Sequence, residues 1–354
     1  MIRKKILFFL QDAVGGAERV SVLLGKTLPK EHYKVIFCLV DRHLGTSILD
    51  FIPEGYTTIS IPDSGPLRLM WRLTRLIHAE QPHIVFSSIM YLNTKILPFR
   101  SLFPHTRFVV RCENYLYTFS KLQQLRIRHT YKLADTIIAQ TAEMRDELIA
   151  QTHITPSKVV VLQNPVDTEL IDSMIANSSN PYPQNGLKHF VAVGRLTYQK
   201  GFDLLLEAFI QVAEQRQDVD LYIIGDNSYD NGKIYKAICE RAHQANISHL
   251  VHCVGYQNNP YPYIRYAHCF VLSSRWEGLP NVMIESLYLG TPAAAFNCIP
   301  IIERIVHNGV SGFLAGSGNV SQLSSAMINA LNLGRINSSY SSCSVNDIVE
   351  TICK

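Results

Sequence analysis

Short apolar runs alternate along the whole chain with stretches whose apolar positions recur every three to four residues. The runs read as buried strands, and the periodic stretches as amphipathic helices laid over them. The first series predicts strands over 5–10, 33–40, 83–87, 107–112, 136–140 and 159–162. Helices fall over 17–28 and 66–80, and a helical stretch rich in aromatic and basic residues over 115–133. The polar, breaker-rich segment N-S-S-N-P-Y-P-Q-N-G at 177–186 interrupts the alternation, and a second series begins at once. It predicts strands over 189–193, 219–224, 250–254, 269–273 and 292–296, with helices over 202–215 and 233–245. A Ser-rich tail from 337 ends in a short helix over 345–353. The fold class is therefore α/β, two doubly wound Rossmann-like domains facing each other across a cleft. The expected ranges are 1–180, 181–336, and a tail over 337–354 that returns toward the first domain.

Two stretches of the second series carry candidate chemistry. The first is S-S-R-W-E-G-L-P-N-V-M-I-E-S-L-Y-L-G-T-P, at 273–292. Gly278 and Pro280 make a tight loop after a strand, and Met283, Ile284, Leu287 and Leu289 continue as an apolar helical stretch. Proline suits the start of a helix, where its missing N–H has no partner to lose. Glu277 and Glu285 frame a turn whose free amides and helix dipole would point at one place, an anion site. A phosphate flanked by hydroxyl-bearing groups fits it. Two solvent-facing glutamates on an ordinary surface helix would give the same pair. The second stretch is V-G-R-L-T-Y-Q-K-G-F-D, at 193–203. Gly194 ends a strand, Arg195 and Lys200 follow in the loop, and Gly201 allows a tight turn before the next helix. Two cations at a helix start form a diphosphate clamp that needs no metal; alone, Arg and Lys in a loop are usually solvated. Both stretches occupy strand ends in one domain, and ligands of open α/β sheets sit at the carboxyl ends.

In the first series the turn A-V-G-G-A-E lacks the G-x-G-x-x-G fingerprint, which argues against a dinucleotide. The 107–112 strand ends in R-C-E-N, with Arg111, Glu113 and Asn114 at its carboxyl end. On the 66–80 helix Arg68, Arg72 and Arg75 share a face with Trp71 beside it. That face suits an anionic membrane surface, or is an ordinary solvated flank.

Composition narrows the classes. At 354 residues and net charge +4 the chain is long enough for two cored domains and only mildly basic. The charge is uneven: 21 Lys and Arg stand against 16 Asp and Glu through residue 175, and 12 against 13 after it. An anionic surface or partner for the first half is implied, yet nothing in it resembles a nucleic-acid-binding motif. Eight scattered cysteines without C-x-x-C spacing read as reduced core residues of a cytosolic protein. No run approaches a membrane span, and the apolar start ends at Gln11 and Asp12, too soon for a signal peptide.

These pieces together resemble the retaining glycosyltransferases of family 4, with the GT-B fold. The matching segments are G-G-A-E-R-V at 15–20, N-P-V-D at 164–167, G-R-L-x-x-Q-K-G at 194–201 and E-G-L-P-N-V-M-I-E at 277–285, with G-T-P at 290–292 and N-G-V-S-G-F-L at 308–314. The resemblance covers nearly the whole chain, more specifically in the second half. It implies transfer of a hexose or N-acetylhexosamine from a nucleotide-diphosphate sugar, UDP-linked, to a hydroxyl of a lipid-linked or surface-glycan precursor, with retention of configuration. Arg195 and Lys200 would hold the donor diphosphate and meet the charge of the leaving nucleotide. Glu285 would bind the ribose and Glu277 the transferred sugar. Gly194, Gly278, Leu279, Asn281 and Val282 would complete the donor contacts, Tyr256 would lie against the base, and Gly16 would let the first domain approach the diphosphate. No cofactor or metal is implied, and the enzyme would work at the cytoplasmic face of a membrane.

Three departures stand out. I-I-G-D-N-S at 223–228 lacks a second glycine on the base side, and N-C-I-P-I-I-E at 297–303 lacks a glycine-rich turn on the sugar side. Glu113 stands where many relatives carry histidine; it could bind the acceptor hydroxyl or lie buried against Arg111. Rival functions on the same architecture are a non-catalytic nucleotide-sugar-binding scaffold and a nucleotide-sugar epimerase.

Overall fold

The computed structural model describes residues 3–42, 47–226, 229–337 and 343–353. They form two α/β units, one taking residues 1–165 with the chain end from 342, the other residues 166–341.

The first unit runs β1 (Lys4–Gln11), α1 (Gly16–Thr27), β2 (Tyr33–Asp41), β3 (Thr57–Pro62), α2 (Pro66–Glu80), β4 (Ile84–Ser87), α3 (Met90–Ile96), β5 (Arg107–Arg111), α4 (Lys121–Thr130), β6 (Thr136–Ala139), α5 (Ala142–Thr152) and β7 (Val159–Val161). Its strands lie in the order β3-β2-β1-β4-β5-β6-β7, all parallel. Ile6 through Leu10 are fully buried, as a central parallel strand covered on both faces requires.

The second unit runs α6 (Thr168–Ile175), β8 (Lys188–Val193), α7 (Phe202–Gln215), β9 (Val219–Ile224), α8 (Lys233–Gln244), β10 (Val251–Gly255), α9 (Tyr261–Tyr266), β11 (Cys269–Leu272), α10 (Asn281–Tyr288), β12 (Ala293–Asn297), α11 (Ile301–Ile305), β13 (Gly312–Gly316) and α12 (Val320–Ala330). Its parallel order is β10-β9-β8-β11-β12-β13. Strand order therefore reverses between β1 and β4 in one unit and between β8 and β11 in the other. The splayed loops at such a reversal form a ready crevice at the carboxyl ends of the strands.

The division between units falls at Pro165 and Val166, ahead of the 177–186 segment. Packing explains the position. Ile171 of α6 is buried with Tyr261, Ile264 and Leu289, and Asn259 Nδ2 donates to the Met174 carbonyl at 2.7 Å. The last helix, α13 (Val345–Cys353), buries Ile348 and Ile352 in the core cluster that holds Ile6 and Phe8. Residues 338–342 of the Ser-rich tail lie outside the described residues.

The 115–133 stretch is not one helix. A turn of 3-10 helix over Leu116–Thr118 precedes α4, and another over Tyr131–Leu133 follows it. Ser120 sets the start of α4. Its hydroxyl accepts from the Gln123 amide, and the Gln123 side chain accepts from the Ser120 amide, a complete capping box. Among the described residues no helix is long and apolar enough to cross a membrane.

Candidate active site

At the β8/β11 reversal two loops meet. The loop after β8 carries Gly194, Arg195 and Lys200, and the loop after β11 carries Ser273 through Gly278. Lys200 Nζ and Ser274 Oγ both donate to Glu277 Oε1, each at 2.6 Å. Glu277 is only 5% exposed, so its charge is held by these partners and not by water. The close approach of the loops depends on Gly201. It adopts φ 62°, and a Cβ there would stand 2.1 Å from the Ser273 carbonyl oxygen. Ser273 Oγ donates in return to the Lys200 carbonyl at 2.9 Å.

A second clasp lies outside this pair. Arg275 grips Asp203, in the first turn of α7, through two nitrogens at 2.9 and 2.5 Å. The same guanidinium donates to the Tyr198 carbonyl at 2.7 Å and lies 3.9 Å from the Tyr198 ring centre. Burial works to raise Asp203, but Arg275 holds it below its ordinary value. Gln199 Nε2 donates to the Trp276 carbonyl at 3.0 Å. Ser274, Arg275, Asp203 and Gln199 were not singled out by the sequence. The available signals were a hydroxyl three residues before Glu277, and an arginine in a loop opposite an acidic first helical turn.

The remaining candidates are spread more widely. Arg195 is exposed and makes no side-chain hydrogen bond or ion pair among the described residues. Gly278 and Leu279 are buried, while Asn281 and Val282 open α10 half-buried, with Glu285 further along it. Tyr256, just beyond β10, is 42% exposed. Gly194 lies against Lys200, whose Cδ and Cε would come within 3.4 Å of a Cβ there. In the 297–303 loop, Asn297 Nδ2 donates to Glu303 Oε1, and a cavity of about 410 Å³ opens beside them. Burial first, then Glu277, pushes the Cys298 thiol up to about 12, with Lys200 opposing. Asn227 and Ser228 of the 223–228 segment lie outside the described residues.

In the first unit Gly16 is exposed and opens α1. Glu113, past the end of β5, accepts from the Met90 amide at 2.9 Å through Oε1, and its Oε2 is shut from solvent and has no hydrogen bond among the described residues. The Arg111 guanidinium, 2% exposed, donates to Asn164 Oδ1, not to Glu113. Burial pushes Glu113 up to about 7; the Met90 amide and Arg111 oppose this and Glu18 adds to it.

Comparison with known proteins fits this geometry. Residues 14–170 match the family model described as Glycosyltransferase Family 4, and residues 176–344 that described as Glycosyl transferases group 1. The chain belongs to these glycosyltransferases. An uncharacterized glycosyltransferase of Methanocaldococcus jannaschii is 28% identical over 66% of this chain and 60% of its own length. The Escherichia coli UDP-Gal:alpha-D-GlcNAc-diphosphoundecaprenol alpha-1,3-galactosyltransferase is 24% identical over 90% of this chain and 85% of its own. Among solved structures, Anabaena HepE in complex with UDP and glucose superposes with a TM-score of 0.79 at 17% identity, over 99% of this chain and 96% of that one. The fold of this glycosyltransferase is therefore GT-B, two Rossmann-like units in one chain. Among its described residues no group of three or more His, Cys, Asp or Glu side chains is placed to hold a metal ion.

Proposed function

We propose that the chain moves a hexose or N-acetylhexosamine from a UDP-linked sugar to a hydroxyl of a lipid-linked glycan precursor, with retention of configuration at the anomeric carbon. The observation that carries this reading is the Lys200–Glu277–Ser274 contact at the β8/β11 reversal. It places a cation and a buried carboxylate together at the edge where this architecture takes its ligand. Lys200 and the exposed Arg195 meet the negative charge that grows as the nucleoside diphosphate leaves, the moment at which preplaced charge lowers the barrier most. Glu277 orients hydroxyls of the transferred sugar, and Glu285 the ribose. Gly278 through Val282 supply backbone donors. Glu113 receives the acceptor hydroxyl. The donor base and the lipid-linked acceptor are suggested by the two characterised proteins named above, whose names specify a UDP-sugar or UDP and, for one, a diphosphoundecaprenol acceptor.

The diphosphate clamp in this reading is cationic, so transfer needs no metal and survives a strong chelator. The first unit works against an anionic membrane surface. On α2, Leu67 is 79% and Trp71 59% exposed, and the Arg75 guanidinium lies 5.3 Å from the Trp71 ring centre. Arg72 is taken up by the Pro62 carbonyl and Ser64 Oγ, at 2.6 Å each, which leaves Arg68 and Arg75 to face the lipid. A panel of nucleotide sugars tests the reading, scored by thermal protection and by sugar released from the nucleotide. One UDP-sugar should stand out in both assays. Protection without turnover by any donor, with or without acceptor lipid, would favour a scaffold, and a changed sugar still joined to its nucleotide an epimerase.

A further inference from the structure

The carboxyl edge of the first unit's sheet carries a second charged cluster. Arg42 follows β2, Asp63 follows β3, and Tyr91 and Lys95 lie on α3. The Tyr91 hydroxyl donates to Asp63 Oδ2, and Arg42 Nε lies 3.4 Å from the same oxygen. The Arg42 guanidinium carbon is 4.2 Å from the Tyr91 ring centre, and Lys95 Nζ is 3.1 Å from it. Lys95 also donates to the Tyr91 carbonyl at 3.1 Å. Arg126 is exposed on α4, the helix that packs against α3. Arg42 and Lys95 thus both face Asp63, whose Oδ2 already takes Tyr91 and Arg42, and Arg126 adds a third positive charge on the Lys95 side.

Like charges gathered around a half-buried ring repel each other unless an anion joins them. Lys95 registers this. Burial pulls its ammonium down to about 8; Asp63 opposes, while Arg42 and Arg126 push it lower still. Phosphate is the matching ligand, with dense negative charge and several acceptor oxygens for donors that cannot themselves accept. The position matters too. Met90, at the head of the same helix, gives its amide to Glu113. Lys95 stands five residues on, about 7.5 Å along the axis, so a short phosphate-linked saccharide reaches from one to the other.

We propose that Arg42, Lys95 and Arg126 bind the diphosphate of a lipid-linked acceptor, with Tyr91 as the platform that fixes Lys95. This rests on the reading of Glu113 as the group that receives the acceptor hydroxyl. The site belongs to the first unit, and the donor clamp at Arg195 and Lys200 to the second.

Calorimetric titration of the full chain with inorganic pyrophosphate tests it, alongside steady-state transfer. The wild type should bind pyrophosphate at two sites. Lys200→Ala should remove one and leave the other. Arg42→Gln with Arg126→Gln should weaken the second by about tenfold or more, the size expected for lost charge-assisted bonds. The same double variant should raise the acceptor KM by a similar factor without changing the donor KM. Arg126→Gln alone, an exposed change on α4, should give a smaller shift in the same direction and guards against misfolding of the double variant. Pyrophosphate binding unchanged by the arginine variants would overturn the proposal. So would a loss seen only with vesicles of phosphatidylglycerol, which would make the cluster a lipid-surface contact. If Lys200→Ala removes neither site while the arginine variants remove one, the donor reading fails and this one stands.

Discussion

Glu277 sits in a position that two functions share. Its Oε1 accepts from Lys200 Nζ at 2.6 Å, and the residue is only 5% exposed. On the proposed reading a donor diphosphate would compete for that lysine. Glu277→Gln should therefore cripple sugar transfer while leaving the affinity for free UDP equal or higher. Glu285→Gln should weaken UDP and UDP-sugar alike, because ribose contacts are the same before and after transfer. Titration of UDP on both variants, beside transfer rates, separates the roles; a Glu277→Gln variant that loses UDP affinity contradicts them. Glu113 makes a different prediction. Burial raises its carboxyl to about 7, above its unfolded value, so the native state holds its proton more tightly than the unfolded chain. The stability this supplies is present below the unfolded value and is lost as pH rises through about 7. Melting temperatures measured between pH 5 and pH 8 should fall more steeply for the wild type than for Glu113→Gln, and parallel curves would show no such shift. The four residues that sequence reasoning ranked highest, Arg195, Lys200, Glu277 and Glu285, all belong to the loop and helix elements at the β8/β11 reversal. What it could not show was that Lys200 and Glu277 are partners. Their contact spans 77 positions and exists only because β8 and β11 are neighbours.

The two site loops behave as one element because backbone and side chain lock them together. Gly201 has left-handed backbone angles, and the Ser273 carbonyl fills the space where a side chain would begin. Gly201→Ala should lower stability by about 1–3 kcal/mol from the backbone alone, with activity falling further as Lys200 and Ser273 are pushed apart. Denaturant melts check this, and an unchanged midpoint would mean that the loops are less tightly coupled than the geometry requires. Gly201 was legible as a turn glycine, because a helix pattern restarts directly behind it. The clasp of Arg275 on Asp203 was not, since an arginine in a polar loop looks the same whether paired or solvated. Element boundaries failed where capping chemistry outweighed periodicity. The continuous pattern over 115–133 conceals the Ser120–Gln123 box that starts α4. β3 leaves little mark because its T-T-I-S-I-P run is mostly exposed and forms no apolar block, and α3 because seven residues make only about two turns.

At the scale of the whole chain the fold was the most legible feature. Two series of buried runs and covering helices read as two parallel sheets, one on each side of the polar 177–186 segment. It could not show that α6 packs with the second unit, because Ile171 finds Tyr261 and Leu289 through tertiary contacts that leave no local mark. The uneven charge belongs to this scale as well. The excess of basic residues through position 175 predicts that the chain sediments with vesicles of phosphatidylglycerol at low salt and is released as salt rises. Arg68→Gln with Arg75→Gln and Trp71→Ala should reduce the bound fraction, each basic side chain giving about 1 kcal/mol near such a surface. Unaltered sedimentation would move the membrane contact to another face.

On the proposed reading, charge developing on a departing nucleoside diphosphate is met at the β8/β11 reversal by Lys200. Steady-state transfer by Lys200→Ala, with its melting temperature checked against the wild type, tests it most directly. Loss of a preplaced positive group at a growing anion costs about 2.7–4 kcal/mol, so kcat should fall roughly a hundred- to a thousandfold, with a much smaller change in donor KM. A folded Lys200→Ala enzyme that keeps a near-normal kcat would contradict the account.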